Sequence, residues 1–268
     1  MRVQVTSPAQ PDKIRWPLWL RAVLFSLAYF VSAELGHFFS FHPSSFSTFW
    51  PNSGLFVAVL LLSEPRAWPW LVLAVFPANI SFDLLHGRPL WVSLLLTCGR
   101  SLEALAGAWL VRRWVGPRVM LTSLREVLGL ATLSAALSTT LSATVGATLI
   151  TAISGGAYWQ TWVAWWRGDA LGVLVVAPFV LTLGQARSLP GVFQSLVSIP
   201  QRATARREAE VALTLAGLVL CVWLVFVQPG DSVFERRYLL LSFVMWVALR
   251  FGLHSLAATH LGLALALM

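Results

Sequence analysis

The chain has 268 residues, 57% of them hydrophobic and 11% charged, with a mean hydropathy of +0.74, whereas an ordinary soluble domain carries roughly 25% charged residues. That balance excludes a soluble enzyme and points to an all-α, polytopic transmembrane helical bundle, because in lipid a helix satisfies its own backbone groups. The formal charge of +8 does not signal a nucleic-acid partner, since all the basic residues but Lys13 are arginine and most flank apolar runs, as membrane topology requires.

In chain order, residues 1–17 form a polar lead read as cytoplasmic, with no cleavage site after the first apolar run, so that run is expected to be retained. Residues 18–268 then form one integral-membrane domain, because no polar stretch is long enough to bury a separate core. Apolar runs fall at about 18–36, 53–63, 68–86, 89–111, 127–151, 159–183, 209–227 and 238–268. A span needs about 20 residues. The second run is short and the last is long, with Arg250 and Gly252 inside it, so eight or nine spans are expected. The stop at Met268 without a polar tail suggests a chain cut short.

With the amino terminus in the cytoplasm, the inner side collects Arg2, Lys13, Arg15, Arg21, Arg66, Arg112, Arg113, Arg118, Arg125, Arg187, Arg202, Arg206, Arg207 and Arg250. The outer side collects Arg88, Arg236 and Arg237. This asymmetry predicts a multi-pass membrane protein with its amino terminus in the cytoplasm. Arg100 and Arg167 lie within spans.

Charged groups inside spans are the candidates for function, since a carboxylate near mid-bilayer costs about 2.5–3.5 kcal/mol on insertion scales and turns towards a partner. Glu103 is such a group, with Arg100 one turn earlier on the same face, and Asn79 and Asp83 form an i, i+4 pair on the third run. In "WWRGDALG", residues 165–172, Arg167 and Asp169 point about 200° apart on a helix and cannot neutralise each other. These groups form a structural ion-pair network, a binding or switching pocket, or an ion path. Trp159, Trp162, Trp165 and Trp166 gather at the outer end of the sixth run, as an interfacial belt or as an aromatic wall above Asp169.

Small residues recur at Ser134, Ser138, Ser142 and Gly146, and again at Gly99 and Gly107 either side of Glu103. Such stripes let helices approach closely, for packing alone or for sliding. Cys98 and Cys221 read as small buried hydrophobes, and His37, His42, His86 and His260 as interface histidines, with an outer metal site the sharper alternative. A faint echo between residues 49–71 and 238–256 is either a structural repeat or two similar inner turns. Protease, hydrolase and nucleotide-loop motifs are absent, and no cofactor or metal is called for.

The pieces "FWPNSGL" at 49–55, which contains Asn52, Asn79 after an apolar run, "SLEALAGAWLVRR" at 101–113, "WWRGDALGVLVVAPFVL" at 165–181 and "WVALRFG" at 246–252 together resemble the bacterial membrane-associated sensor domain, the first of the MASE families. Arg167 fills a variable position of that pattern and is a weaker candidate than Asp169. The resemblance implies a noncatalytic sensory input module attached to a histidine kinase or to an enzyme of cyclic di-GMP signalling. It implies a polar centre around Asp169, Glu103 and Asn79, and as partners the bilayer, a cytoplasmic output domain of the same polypeptide, a homodimer mate, and a transporter-like membrane protein or a small ligand. The competing reading is a small-solute binding or transport protein.

Overall fold

The computed structural model describes residues 16–38, 49–121 and 123–185. These form helices α1 (Leu18–Phe38), α2 (Pro51–Leu62), α3 (Trp68–Leu85), α4 (Leu90–Trp114), α5 (Leu124–Gly129), α6 (Thr139–Ser154) and α7 (Tyr158–Gln185). A π-helical segment, Leu130–Ser138, joins α5 to α6, so that Leu124–Ser154 is one continuous rod. No strand occurs among the described residues. Five helices there are long and apolar enough to cross a membrane: α1, α3 with its leading turn, α4, the Leu124–Ser154 rod and α7. The runs at 209–227 and 238–268, on which the expectation of eight or nine spans depends, lie outside the described residues, as do His42, His260, Cys221 and the second half of the internal echo.

Helix α2 is the exception in length. Its 12 residues rise about 18 Å, against a hydrocarbon core of about 30 Å. It is nevertheless the most enclosed element, with Pro51 to Gly54 all buried, and its most extensive packing is against α7. That crossing brings backbone onto backbone. A Cβ on Gly54 would collide with the Gly172 carbonyl, and a Cβ on Gly172 with the Trp50 carbonyl. The Trp50 amide also donates to the Gly168 carbonyl at 3.1 Å, tying the entry of α2 to the middle of α7.

The other end of α2 is closed by side chains. Arg112 donates to the Leu61 carbonyl at 2.9 Å and to the Ser63 carbonyl, Trp68 Nε1 donates to the Leu60 carbonyl at 2.9 Å, and the Arg112 guanidinium lies over the Trp68 indole, 5.2 Å from its centroid. These bonds satisfy carbonyls that the helix end leaves without partners. Arg21 of α1 donates to Ser63 Oγ at 2.8 Å at the same end. The opposite end of the bundle carries Glu34, His37, His86 and Arg88, with His86 Nε2 3.7 Å from Glu34 and the His37 and His86 rings 4.1 Å apart. Arg21, Arg66 and Arg112 therefore share one end and Arg88 takes the other, as alternating spans require.

A π-helix is rare, and its wider turn leaves backbone carbonyls poorly served. Side chains serve them here. Ser138 donates to the Ser134 carbonyl at 2.7 Å, Thr139 to Ala135 at 2.6 Å, and the Trp166 indole reaches across from α7 to Ala136 at 2.9 Å. Small residues opposite make room for the segment, since a Cβ on Gly107 would meet the Ser134 and Ser138 hydroxyls at 2.6 and 2.7 Å. The glycine stripe of α4 thus faces the serine stripe of the rod, with Gly99 against Val145 at the other end of the contact. One expectation fails: Cys98 is exposed on the surface of α4, because the polar and small residues beside it, Thr97, Gly99 and Arg100, take the inward face.

Candidate functional site

The inward faces of α2, α4, α6 and α7 meet at a polar centre within the apolar bundle. Asp169 lies 11 residues into α7 from Tyr158, and Glu103 lies 13 residues into α4 from Leu90, depths of roughly 16–20 Å at 1.5 Å per residue. Both are 1% exposed. Arg167, two residues from Asp169, is exposed on the outer face of α7. The two charges of "WWRGDALG" therefore have separate fates: one enters the bundle and the other turns away from it.

Asp169 is held by hydroxyls from two helices. Ser53 donates to Oδ1 at 2.8 Å and Ser142 to Oδ2 at 2.7 Å. Ser53 sits in the first turn of α2, so the positive end of that helix also faces the carboxylate. Glu103 lies within hydrogen-bonding reach of Asp169 and Ser142, yet neither of its oxygens makes a hydrogen bond of ordinary geometry.

Arg100, 5% exposed, is placed between two indoles, 5.0 Å from the Trp50 centroid and 5.7 Å from that of Trp165. Such stacking over aromatic faces supports a guanidinium without an anion in contact. Among the described residues it forms an ion pair with neither Glu103 nor Asp169; the pairs there are Arg88–Asp83 and His86–Glu34. Its Nε and Nη1 atoms make no hydrogen bond of ordinary geometry, nor do the Asn52 amide atoms or Trp50 Nε1. Tyr29 of α1 closes the group beside Arg100 and Asn52.

The structure thus brings Glu103, Asp169, Arg100, Asn52 and Trp165 together. It places Asn79 and Asp83 in a neighbouring cluster nearer the α3–α4 turn. Asn79 Nδ2 donates to Asp83 Oδ2 at 2.8 Å and to Thr97 at 2.9 Å, while Ser93 at 2.8 Å and Arg88 at 2.9 Å also bind Asp83. Every one of these partners is on α3, α4 or their turn, so Asn79 is bonded to Asp83 rather than to Glu103 or Asp169. Trp162 and Trp166 stack on each other at 6.2 Å and bond to Thr144 and Ala136, clipping α7 to the rod instead of lining the centre. Trp165 alone of the three turns inward, its ring lying over Gly146.

Four contributors, Tyr29, Trp50, Ser53 and Ser142, carry no charge and so are not marked by the cost of burying one in lipid. Ser142 belonged to a recognised small-residue stripe, but a stripe does not reveal that one hydroxyl binds a carboxylate. Trp50 and Ser53 lie in "FWPNSGL", where the proline and glycine mark a helix start and a close approach. No group of three or more His, Cys, Asp or Glu side chains that could hold a metal occurs among the described residues.

A family model for MASE1 matches residues 21–268, nearly the whole chain. The chain belongs to the MASE1 family of membrane-associated sensor domains. No curated protein and no solved structure matches it. MASE1 domains are membrane sensory inputs, and the apolar helices described above accord with a multi-pass membrane protein.

Proposed function

We propose that this MASE1 domain reads its signal at the polar centre formed by Glu103, Asp169, Arg100 and Asn52. It passes the result to a cytoplasmic output domain of the same polypeptide, a histidine kinase or a cyclic di-GMP enzyme. The observation that carries this reading is the set of buried polar atoms without partners on Asn52, Arg100 and Glu103. A buried donor or acceptor left unpaired costs about 1–3 kcal/mol, more when charged, so a centre that merely fixed helix register would be expected to satisfy itself. A group that a ligand, an ion or water completes, and that another packing of the helices completes differently, suits a two-state element.

In this reading the amino terminus is cytoplasmic, the membrane is the inner one, and the full-length protein works as a homodimer. The decisive experiment compares output activity of the natural full-length protein with that of Glu103→Gln and Asn52→Ala at equal membrane abundance. Either change is expected to bias output several-fold up or down. Unaltered output from both variants would refute a sensing role for the centre.

A second reading, small-solute binding or transport, is favoured by one feature. Helix α2 starts inside the bundle at roughly half the span length, and discontinuous helices of that kind line the binding sites of transporters. Uptake of solute into vesicles by the chain itself, with no effect of the centre on output, would select it.

A further inference from the structure

One guanidinium and two carboxylates share the polar centre, which leaves one negative charge unmatched. The two carboxylates are not equivalent. Asp169 accepts a hydrogen bond on each oxygen and faces the first turn of α2. Glu103, 1% exposed, makes no hydrogen bond of ordinary geometry on either oxygen and has the Asp169 carboxylate as its neighbour. Arg100 does not resolve this, because its guanidinium is held between Trp50 and Trp165 and makes no ion pair with either acid.

The groups facing the acidic pair can be named element by element. Helix α1 contributes Tyr29, α3 contributes Asp83 through its field on Arg100, and α4 contributes Arg100 itself. Helices α2 and α6 contribute the neutral Asn52, Ser53 and Ser142. No second cation faces the pair among the described residues. An uncompensated carboxylate beside another at mid-membrane is strongly disfavoured, and the open acceptors on Glu103 are hard oxygens. Hard cations prefer such ligands.

We infer that the Glu103–Asp169 pair binds one hard monovalent cation, an alkali ion or a proton, and that this occupancy is what switches the polar centre. The inference rests on the sensing role proposed above for the same residues. A single positive charge neutralises the centre, gives Glu103 a partner, and bridges α4 to α7. Loss of the cation leaves two acids repelling each other across that contact, which pushes the helices apart. Occupancy thus has a built-in differential effect on two packings, as a switch requires.

The test uses the whole chain in detergent, with choline chloride exchanged for sodium, lithium or potassium chloride at constant ionic strength. If the cation is an alkali ion, the melting midpoint rises saturably with at least one of the three over a roughly hundredfold concentration range, and Glu103→Gln removes the response while melting higher than the cation-free wild type. If it is a proton, the three salts are without effect. The wild-type midpoint then climbs as pH falls from about 8 to about 5.5, and the climb is smaller in Glu103→Gln. Groups elsewhere in the chain respond to pH equally in both proteins, so the proton arm is read as the difference between them.

Should Glu103→Gln fail to fold, Asp169→Asn serves for the same comparison, and equilibrium dialysis of the wild-type chain against radioactive sodium needs no variant. A wild-type midpoint indifferent to all three salts, with a pH response identical in the variant, overturns the inference. Output that responds to Glu103→Gln without any cation effect would remove the cation site and keep the sensing role. A cation effect on stability with output unmoved would do the reverse.

Discussion

Replacing Gly172 by Ala tests whether the α2–α7 crossing is the pivot of the fold. The new methyl group would be driven into the Trp50 carbonyl, with Pro51 Cα next at 3.6 Å, and neither backbone group can rotate aside. Restoring van der Waals distance requires the helices to part by on the order of 1 Å. The Trp50 amide bond to Gly168, now 3.1 Å, would then exceed hydrogen-bonding range, and the 2.8 Å Ser53–Asp169 bond would lengthen with it. Overpacking costs about 1–3 kcal/mol and the weakened bonds about 1–2 kcal/mol. Alanine returns up to about 1 kcal/mol through its better helix propensity. The net expectation is a loss of about 2–3 kcal/mol, or roughly 4–12 °C in the melting midpoint for a chain of this size. Thermal melting of the detergent-solubilised chain measures it. Leu171→Ala, on the exposed face of the same helix at 45% exposure, is the control and should move stability far less. Gly54→Ala should match Gly172→Ala, and the double variant should fall well short of the sum, because once the helices have parted the second methyl meets little. An unchanged or raised midpoint for Gly172→Ala would refute the close crossing and with it the seating of α2.

Three further outcomes are expected. Asp169→Ala strands the Ser53 and Ser142 hydroxyls and should destabilise the chain by about 2–4 kcal/mol, with Asp169→Asn recovering part of the loss because an amide oxygen still accepts; equal melting of the two variants would argue against those bonds. Ser138→Leu forces a large side chain against Gly107 and should cost about 1–3 kcal/mol in the same assay, whereas a lipid-facing position would absorb it. For topology, a cysteine placed at Ala203, in a chain with Cys98 and Cys221 replaced by Ser, should resist an impermeant thiol reagent in intact cells, since Arg187, Arg202, Arg206 and Arg207 mark that segment as cytoplasmic. Ready labelling would invert the orientation.

The helices were legible because each is written as an apolar run of bilayer length: the runs at 68–86 and 89–111 correspond to Trp68–Leu85 and Leu90–Trp114 within three residues. Individual polar residues were legible for a different reason. Lipid makes every buried charge conspicuous, so Glu103, Asp169 and Arg100 stood out without any knowledge of their partners. What the sequence concealed was pairing. Asn79 and Glu103 are both polar groups in mid-span, and hydropathy cannot say that one bonds to Asp83 and Thr97 while the other has no bond. Trp162, Trp165 and Trp166 sit within one turn and a half, yet only Trp165 faces the centre, a difference of rotation that a run of tryptophans does not encode. The π-helical segment was also hidden. Its serines fall at every fourth position and read as an ordinary α-helical stripe; the wider turn becomes visible only through the carbonyls that Ser138, Thr139 and Trp166 serve.

The short helix shows how these concealed pairings build a mechanism. Helix α2 is bonded to α7 at its entry, through Trp50 and Gly168, and to α4 at its exit, through Arg112. Asp169 and Glu103 lie on those same two partners. In the proposed switch, a change in the separation of α4 and α7 at the acids would tilt α2 at its crossing with α7, since its 12 residues are too few to flex and hydrogen bonds hold both ends. In that reading the tilt would reach Ser63 and Arg21 at the end of the bundle where Arg66, Arg112 and Arg113 collect, the end that a cytoplasmic output domain would contact. A full-length span in place of α2 would be anchored in both membrane interfaces and would resist such tilting. On the proposed function, the short length of the second apolar run would make α2 a lever that pivots at its Gly54–Gly172 crossing with α7.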